Sequence, residues 1–169
     1  MFVRTRAQRA VVVVTVTVLA TLFSSCASSR DRANPASPTW VGWTWRIVEV
    51  QHGTARTSIP AALNGSVAFA PDRTLRADDA VNAYFGSYAL DGEGYRPHDV
   101  GTTLVGYAGH DPARLDLIAA VRALTGSEVV IVGAAADTLQ LSAGGYTVRC
   151  AKLGIAHDEA PPSPTATHP

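Results

Sequence analysis

The sequence has few of the features that mark a particular chemistry. It holds only two cysteines and contains no Cys-x-x-Cys pair, no Gly-x-Ser-x-Gly elbow and no glycine-rich phosphate loop at the start of a helix. Its net charge is zero, and its basic residues are scattered without a stripe or interleaved aromatic side chains. All of the 14 basic residues except Lys152 are arginine. We therefore expect no cofactor and no nucleic-acid partner.

The first 25 residues have the pattern of an export signal. Three arginines precede an apolar run over residues 10–23, in which the polar members are all threonine. A helix of that length covers roughly 21 Å, which is less than the ~30 Å hydrocarbon core of a membrane. A positively charged start, a short apolar run and small residues after it predict a signal peptide over residues 1–25.

The predicted signal peptide leads into LFSSC, residues 22–26, which resembles a bacterial lipobox. In that pattern the cysteine receives lipid and becomes the mature N-terminus, although Phe23 stands where leucine is usual. Lipid on Cys26 predicts a protein anchored on the outer side of the cytoplasmic membrane, because two acyl chains give stable attachment. The alternative is cleavage nearby by an ordinary signal peptidase, which would give a secreted protein.

The segments on either side of the predicted domain are polar and rich in proline. Residues 26–39 predict a flexible tether, and residues 154–169, with four prolines, predict a disordered tail. Removal of residues 1–25 leaves 11 basic and 14 acidic side chains, a net charge of −3. If Cys26 carries lipid, Cys150 has no partner, so the domain must hold together by packing alone.

Residues 40–153 are predicted to form the folded domain. Val41, Trp43, Trp45 and Ile47 alternate with other residues, which indicates a half-buried strand with the tryptophans in a β core. Further alternating segments follow at short intervals and are separated by turn dipeptides such as Asp91-Gly92. The sequence therefore predicts several short antiparallel strands.

One helix is predicted late in the chain. Asp111 can cap it, apolar residues recur from Leu117 at positions i, i+4 and i+7, and Gly126 ends it. Many strands with a single helix predict a mainly β (α+β) fold. We expect a small curled antiparallel sheet or a partly open barrel, with the helix over an opening or an edge.

The candidate catalytic and metal-binding residues do not form one pattern. Histidine followed by aspartate occurs at His98, His110 and His157, and such pairs can bind metal. These three dipeptides lie in different local contexts, which disfavours a shared site. The acidic residues at 78–79 and 91–93 fall in turn-like stretches, so we expect them to be solvated.

Four segments together resemble a known family. WTWRIVEV begins the domain, IPAALNGSVAFAPDRTLRA precedes the central stretch DDAVNAYFGSYAL, and VGTTLVGY follows it. These segments resemble the META-domain, or HslJ-like, family of bacterial envelope proteins over residues 40–153. The matching motif positions are Asn82, Gly86, Tyr88, Thr102 and Thr103.

The resemblance and the local chemistry imply a structural motif. Val81 and Tyr107 stand where the family motifs have cysteines, and apolar packing of these two residues is expected to replace the bridge. Asn82 is suited to tie a bend by bonding local backbone. Gly86 within a strand predicts a bulge or a close approach of backbone. A binding role for Asn82 beside exposed aromatics is the alternative.

The resemblance implies a function without catalysis. We expect an exported, lipid-anchored, monomeric envelope protein that acts in stress or antibiotic tolerance and has no catalytic or metal site. Its partners would be the membrane, through the lipid, and an envelope protein or a small ligand. The alternatives are a small-ligand carrier that uses the barrel mouth and a metal-dependent hydrolase that uses His98 or His110.

Overall fold

The computed structural model describes residues 37–126 and 129–156, and they are mainly β structure. The nine strands are β1 (Trp43–His52), β2 (Ala55–Ser58), β3 (Ser66–Phe69), β4 (Thr74–Asp78), β5 (Ala83–Asp91), β6 (Gly94–Thr102), β7 (Val130–Ala134), β8 (Thr138–Ala143) and β9 (Tyr146–Ile155). The helix α1 spans Pro112–Thr125, and a 3-10 turn spans Ala61–Leu63. In this part of the chain no helix is long and apolar enough to cross a membrane.

The strands form one antiparallel sheet that closes on itself. The order is β2-β1-β3-β4-β5-β6-β7-β8-β9, and β1 also pairs with β9 from Trp43↔Ile155 to His52↔Tyr146. Eight strands, β1 and β3 to β9, therefore make a closed barrel, whereas the sequence also allowed a partly open one. β2 lies outside this closure and pairs with the second half of β1. Since the barrel closes within residues 43–155, we expect the unit over residues 36–169 to fold alone.

Aromatic side chains fill one part of the barrel interior. Trp40, Trp45, Phe69, Tyr88 and Tyr95 are all buried. The rings of Trp40, Phe69, Tyr88 and Tyr95 contact one another with centroid separations between 4.7 Å and 6.0 Å. Trp45 Nε1 donates a hydrogen bond to Trp40 O at 3.0 Å, which satisfies its polar group inside the core. The interpretation of these tryptophans as core residues is therefore confirmed for two of the three.

The third tryptophan has a different environment. Trp43 is only partly buried, and Lys152 Nζ lies 3.3 Å from the centroid of its ring. This geometry is a cation–π interaction between the only lysine of the chain and the first residue of β1.

The helix is present as predicted and packs against the barrel. The Asp111 side chain accepts a hydrogen bond from the Ala113 N–H at 3.1 Å, and Gly126 follows the last turn. Leu117, Val121 and Leu124 are fully buried on the inner face. The Tyr95 hydroxyl donates to the Leu124 carbonyl at 3.1 Å, so the C-terminal end of the helix is tied to the barrel interior.

One boundary differs from the prediction. β9 runs to Ile155, past the predicted domain end at 153, because it pairs with the start of β1. Ala156 N–H then donates to Gly42 O at 3.0 Å. The predicted signal peptide, Cys26, most of the tether and the tail from residue 157 lie outside the described residues.

Candidate functional site

The Asn82 side chain joins the start of β5 to the segment that follows β6. Its Oδ1 accepts hydrogen bonds from the Val105 N–H at 2.8 Å and from the Thr103 hydroxyl at 3.3 Å. Its Nδ2 donates to the Val105 carbonyl at 3.2 Å. The side chain is 4% exposed, so these bonds supply most of the polar contacts that a buried amide requires. Asn82 thus holds residues 103–105 against the barrel.

Asp79 was predicted to be solvated, and that prediction is wrong. The residue is completely buried. Its Oδ1 accepts from the backbone N–H groups of Val81 at 2.9 Å and Asn82 at 2.6 Å. Its Oδ2 accepts from the Tyr84 hydroxyl at 2.7 Å. A buried carboxylate needs such donors, and here they fix the turn that leads into β5.

Tyr84, which is itself buried, bonds this acid through its hydroxyl group. Burial raises the pKa of the Tyr84 phenol, and its hydrogen bond to Asp79 raises it further. The phenol therefore stays neutral at neutral pH and remains a donor to the Asp79 carboxylate.

Gly86 lies where β5 and β6 approach closely. Phe85 pairs with Gly101 and Ser87 with His98, so one residue of β5 faces two residues of β6. The bulge is thus on β6, where Asp99 has a φ of 51°. Tyr88 follows two residues later and points into the core, where its hydroxyl donates to the Ala70 carbonyl at 2.9 Å.

Thr102 and Thr103 use their hydroxyl groups locally. The Thr103 hydroxyl accepts from the Ala83 N–H at 3.1 Å, and it also bonds Asn82 Oδ1. The Thr102 hydroxyl donates to the Thr103 carbonyl at 3.0 Å. Both side chains therefore shape the end of β6 and the turn after it.

A surface cleft of about 470 Å³ opens beside these residues, and we name it the Asn82 cleft. It lies between the end of β6 with its following segment and the last turns of α1. The lining residues are Asn82, Tyr84, Val100, Thr102, Thr103, Leu104, Val105, Gly106, Arg122 and Thr125. Arg122 is the only charged residue among them, and Leu104 is 92% exposed.

The histidines do not come together with other metal-binding groups. His98 lies on β6 and His110 lies just before α1, and both are exposed. Asp111 serves as the helix cap. Across residues 37–126 and 129–156, no three His, Cys, Asp or Glu side chains are close enough to hold a metal ion. His157 lies outside these residues.

Cys150 is a buried core residue with a free thiol. Burial raises the pKa of this thiol from 9.0 to about 12, so the reactive thiolate is scarce at neutral pH.

Neither of the two residues that the META resemblance aligns with cysteines belongs to the buried core. Val81 and Tyr107 are both partly exposed. The Arg114 guanidinium carbon lies 5.1 Å from the centroid of the Tyr107 ring, so this tyrosine packs against the helix.

Comparisons with known proteins find solved structures that resemble this fold. A protein from Burkholderia xenovorans solved by NMR has a TM-score of 0.52 and 20% sequence identity, over 68% of this chain and 83% of that chain. A second protein solved by NMR has a TM-score of 0.50 and 13% identity, over 65% of this chain and 88% of the other. A crystal structure of a DUF4847 family protein from Bacteroides vulgatus has a TM-score of 0.42 and 15% identity, over 66% and 93%. No protein-family model matches the chain, and no curated protein does.

Proposed function

We propose that the protein is an exported, lipid-anchored, non-enzymatic domain of the bacterial envelope, related to the META or HslJ-like proteins. Its task is to hold a partner molecule at the Asn82 cleft. A role in stress or antibiotic tolerance would follow from the family resemblance.

The observation that carries this proposal is the pairing of a rigid support with an exposed apolar side chain. The Asn82 amide bonds the Thr103 hydroxyl and the Val105 backbone, so it holds the chain on both sides of Leu104. Leu104 itself is 92% exposed, although a leucine gains free energy by leaving water. Val105, the next residue, is also 55% exposed, so two neighbouring apolar side chains face solvent beside the cleft, which favours a binding surface.

The filled barrel interior supports binding at the surface. Phe69 and Tyr95 are fully buried among other aromatic rings, so the interior is a packed core. The carrier hypothesis places a ligand in the barrel mouth and predicts saturable binding of an apolar dye. We instead expect the partner to contact Leu104.

Crosslinking in living cells tests this proposal. A photoreactive amino acid at position 104 should capture a partner that mass spectrometry can identify. The matched control carries the same amino acid at position 153, because Leu153 is 62% exposed but lies on β9, outside the cleft. Equal capture profiles from the two positions would contradict a binding role for the cleft.

The anchoring is tested separately. The Cys26→Ala variant should lose lipid attachment and leave the detergent-soluble membrane fraction. Continued membrane fractionation of this variant in the absence of detergent would contradict a lipid anchor at Cys26.

A further inference from the structure

We propose that the partner at the Asn82 cleft is an extended peptide segment that pairs with the free edge of β6 and places a carboxylate at Arg122. This inference rests on the proposed function and specifies the kind of partner. Three features of the cleft carry it: an unpaired strand edge, an apolar wall and a single positive charge.

The unpaired edge belongs to the second half of β6. On one side, β6 pairs with β5 from Gly94 to Thr102. On the other side, within the described part of the chain, it pairs with β7 only at Gly94 and Tyr95. Beyond these two residues, Pro97 has no N–H and the bulge interrupts the strand at Asp99, so the open edge that can template an added strand runs from Val100 to Thr102.

The backbone direction at the cleft can be derived from one hydrogen bond. Thr103 N–H donates to Ala83 O at 3.1 Å, so this residue directs its N–H toward β5. Successive residues of a strand alternate in this respect, so the N–H and C=O of Thr102 point to the opposite side. Thr102 lines the cleft, which places its free backbone groups within reach of an incoming chain.

The walls of the cleft suit an apolar side chain. Val100 and Leu104 flank Thr102 along the chain, and all three line the cleft. Arg122 and Thr125 of α1 line the same cleft. An extended peptide would therefore lie between a strand edge and a helix, with alternate side chains in contact with the apolar residues.

Arg122 favours a partner that carries a negatively charged group. It is the only charged residue that lines the cleft. Among residues 37–126 and 129–156, no carboxylate oxygen lies within 4.0 Å of its guanidinium. A guanidinium binds a carboxylate through two parallel N–H donors. The C-terminal carboxylate of a peptide, or an acidic side chain near its end, meets this requirement.

The test uses the unit over residues 36–169 and one defined probe, the N-acetylated tetrapeptide Val-Thr-Val-Leu with a free C-terminal carboxylate. NMR titration should shift the amide signals of Val100, Thr102 and Leu104. The same peptide with a C-terminal amide should bind about fivefold more weakly, which corresponds to about 1 kcal/mol for a partly exposed ion pair. Methylation of one peptide N–H should weaken binding strongly, and methylation of the next one should weaken it less, because only alternate groups face β6.

Variants assign the contacts. In Arg122→Gln the acid and the amide of the peptide should bind equally well, whereas the control Arg56→Gln should preserve the fivefold difference. Both arginines are exposed, so both variants should fold. Leu104→Ser should weaken the acid and the amide by the same factor, and Leu153→Ser should change neither.

Several outcomes would overturn the inference. These are no binding at millimolar peptide, equal binding of acid and amide to the unchanged protein, or equal effects of methylation at successive N–H groups. Octanoate that binds as tightly as the peptide and shifts the same signals would assign the cleft to small amphiphiles instead. Shifts that depend on protein concentration alone would assign it to a second copy. Capture of a partner at position 104 in cells would then still support the proposed function, so the two failures are distinguishable.

Discussion

Replacing Gly86 by alanine should destabilise the barrel, because the added methyl group would meet backbone atoms. A Cβ at position 86 would lie 2.8 Å from the His98 carbonyl oxygen and 2.8 Å from Val100 Cα. Both atoms belong to the bulged part of β6, and Cβ atoms essentially never approach heavy atoms within 3.0 Å. Backbone cannot rotate away as a side chain can, so β6 has to move relative to β5.

The expected magnitude follows from the cost of inserting atoms into packed structure. Such insertions cost about 1 to 3 kcal/mol, and we expect about 2 kcal/mol for Gly86→Ala. For a domain of this size that free energy lowers the melting temperature by roughly 6 to 10 °C. Urea unfolding of residues 36–169, followed by tryptophan fluorescence, measures the free energy directly.

Two matched glycines separate the close approach from the general effect of replacing glycine. A Cβ at Gly101, on the facing strand, would have its nearest neighbour at 3.9 Å, and a Cβ at Gly154 would have none within 4 Å. Alanine at either position should leave stability unchanged or raise it by about 0.4 to 1 kcal/mol through the unfolded chain. If Gly86→Ala unfolds at the same urea concentration as these two controls, the close approach is not the reason for glycine at position 86.

Three further predictions concern single side chains. Asn82→Ala should cost about 1 to 3 kcal/mol of unfolding free energy, because the Val105 N–H loses its acceptor. Thermolysin should then cleave the loop after β6 faster, and unchanged cleavage would show that Asn82 does not hold this loop. Because the pKa of the Cys150 thiol is raised to about 12 from 9.0, its contribution to stability is complete below pH 9.0 and disappears as pH rises toward 12. Cys150→Val should flatten that decline in urea unfolding, and a parallel decline would refute the assignment. Lys152→Gln should cost about 0.5 to 1 kcal/mol and change the fluorescence of Trp43; a silent substitution would show that the cation–π contact contributes nothing.

The helix could be predicted from sequence because its determinants are local. The cap at Asp111, the apolar spacing and the glycine at 126 all lie within one short stretch. The closure of the barrel could not be predicted in the same way. It depends on pairing between β1 and β9, whose residues are far apart in the chain, and the alternation within each strand is equally compatible with an open sheet.

Asp79 shows how a local pattern can suggest the wrong environment. Two adjacent aspartates before a turn have the same sequence pattern whether the turn is solvated or buried. The useful sequence clue is the spacing: a carboxylate can accept from the N–H groups two and three residues later, and Tyr84 follows five residues later in a strand. The Asn82 cleft had no comparable clue, because Thr102 and Arg122 meet only through the packing of α1 against the barrel.

The tie at Asn82 separates the residues that stabilise the loop from the residue that this loop presents to solvent. Residues 103 and 105 are held by the Asn82 amide, which directly precedes β5, so none of these bonds uses the side chain at 104. Leu104, at 92% exposure, contributes almost no burial to the fold. Changes at this position should therefore have little effect on stability, whereas changes at Asn82 should displace the loop. Asn82 is thus constrained by folding, whereas under the proposed function the specificity of this surface would depend on Leu104, which folding does not constrain.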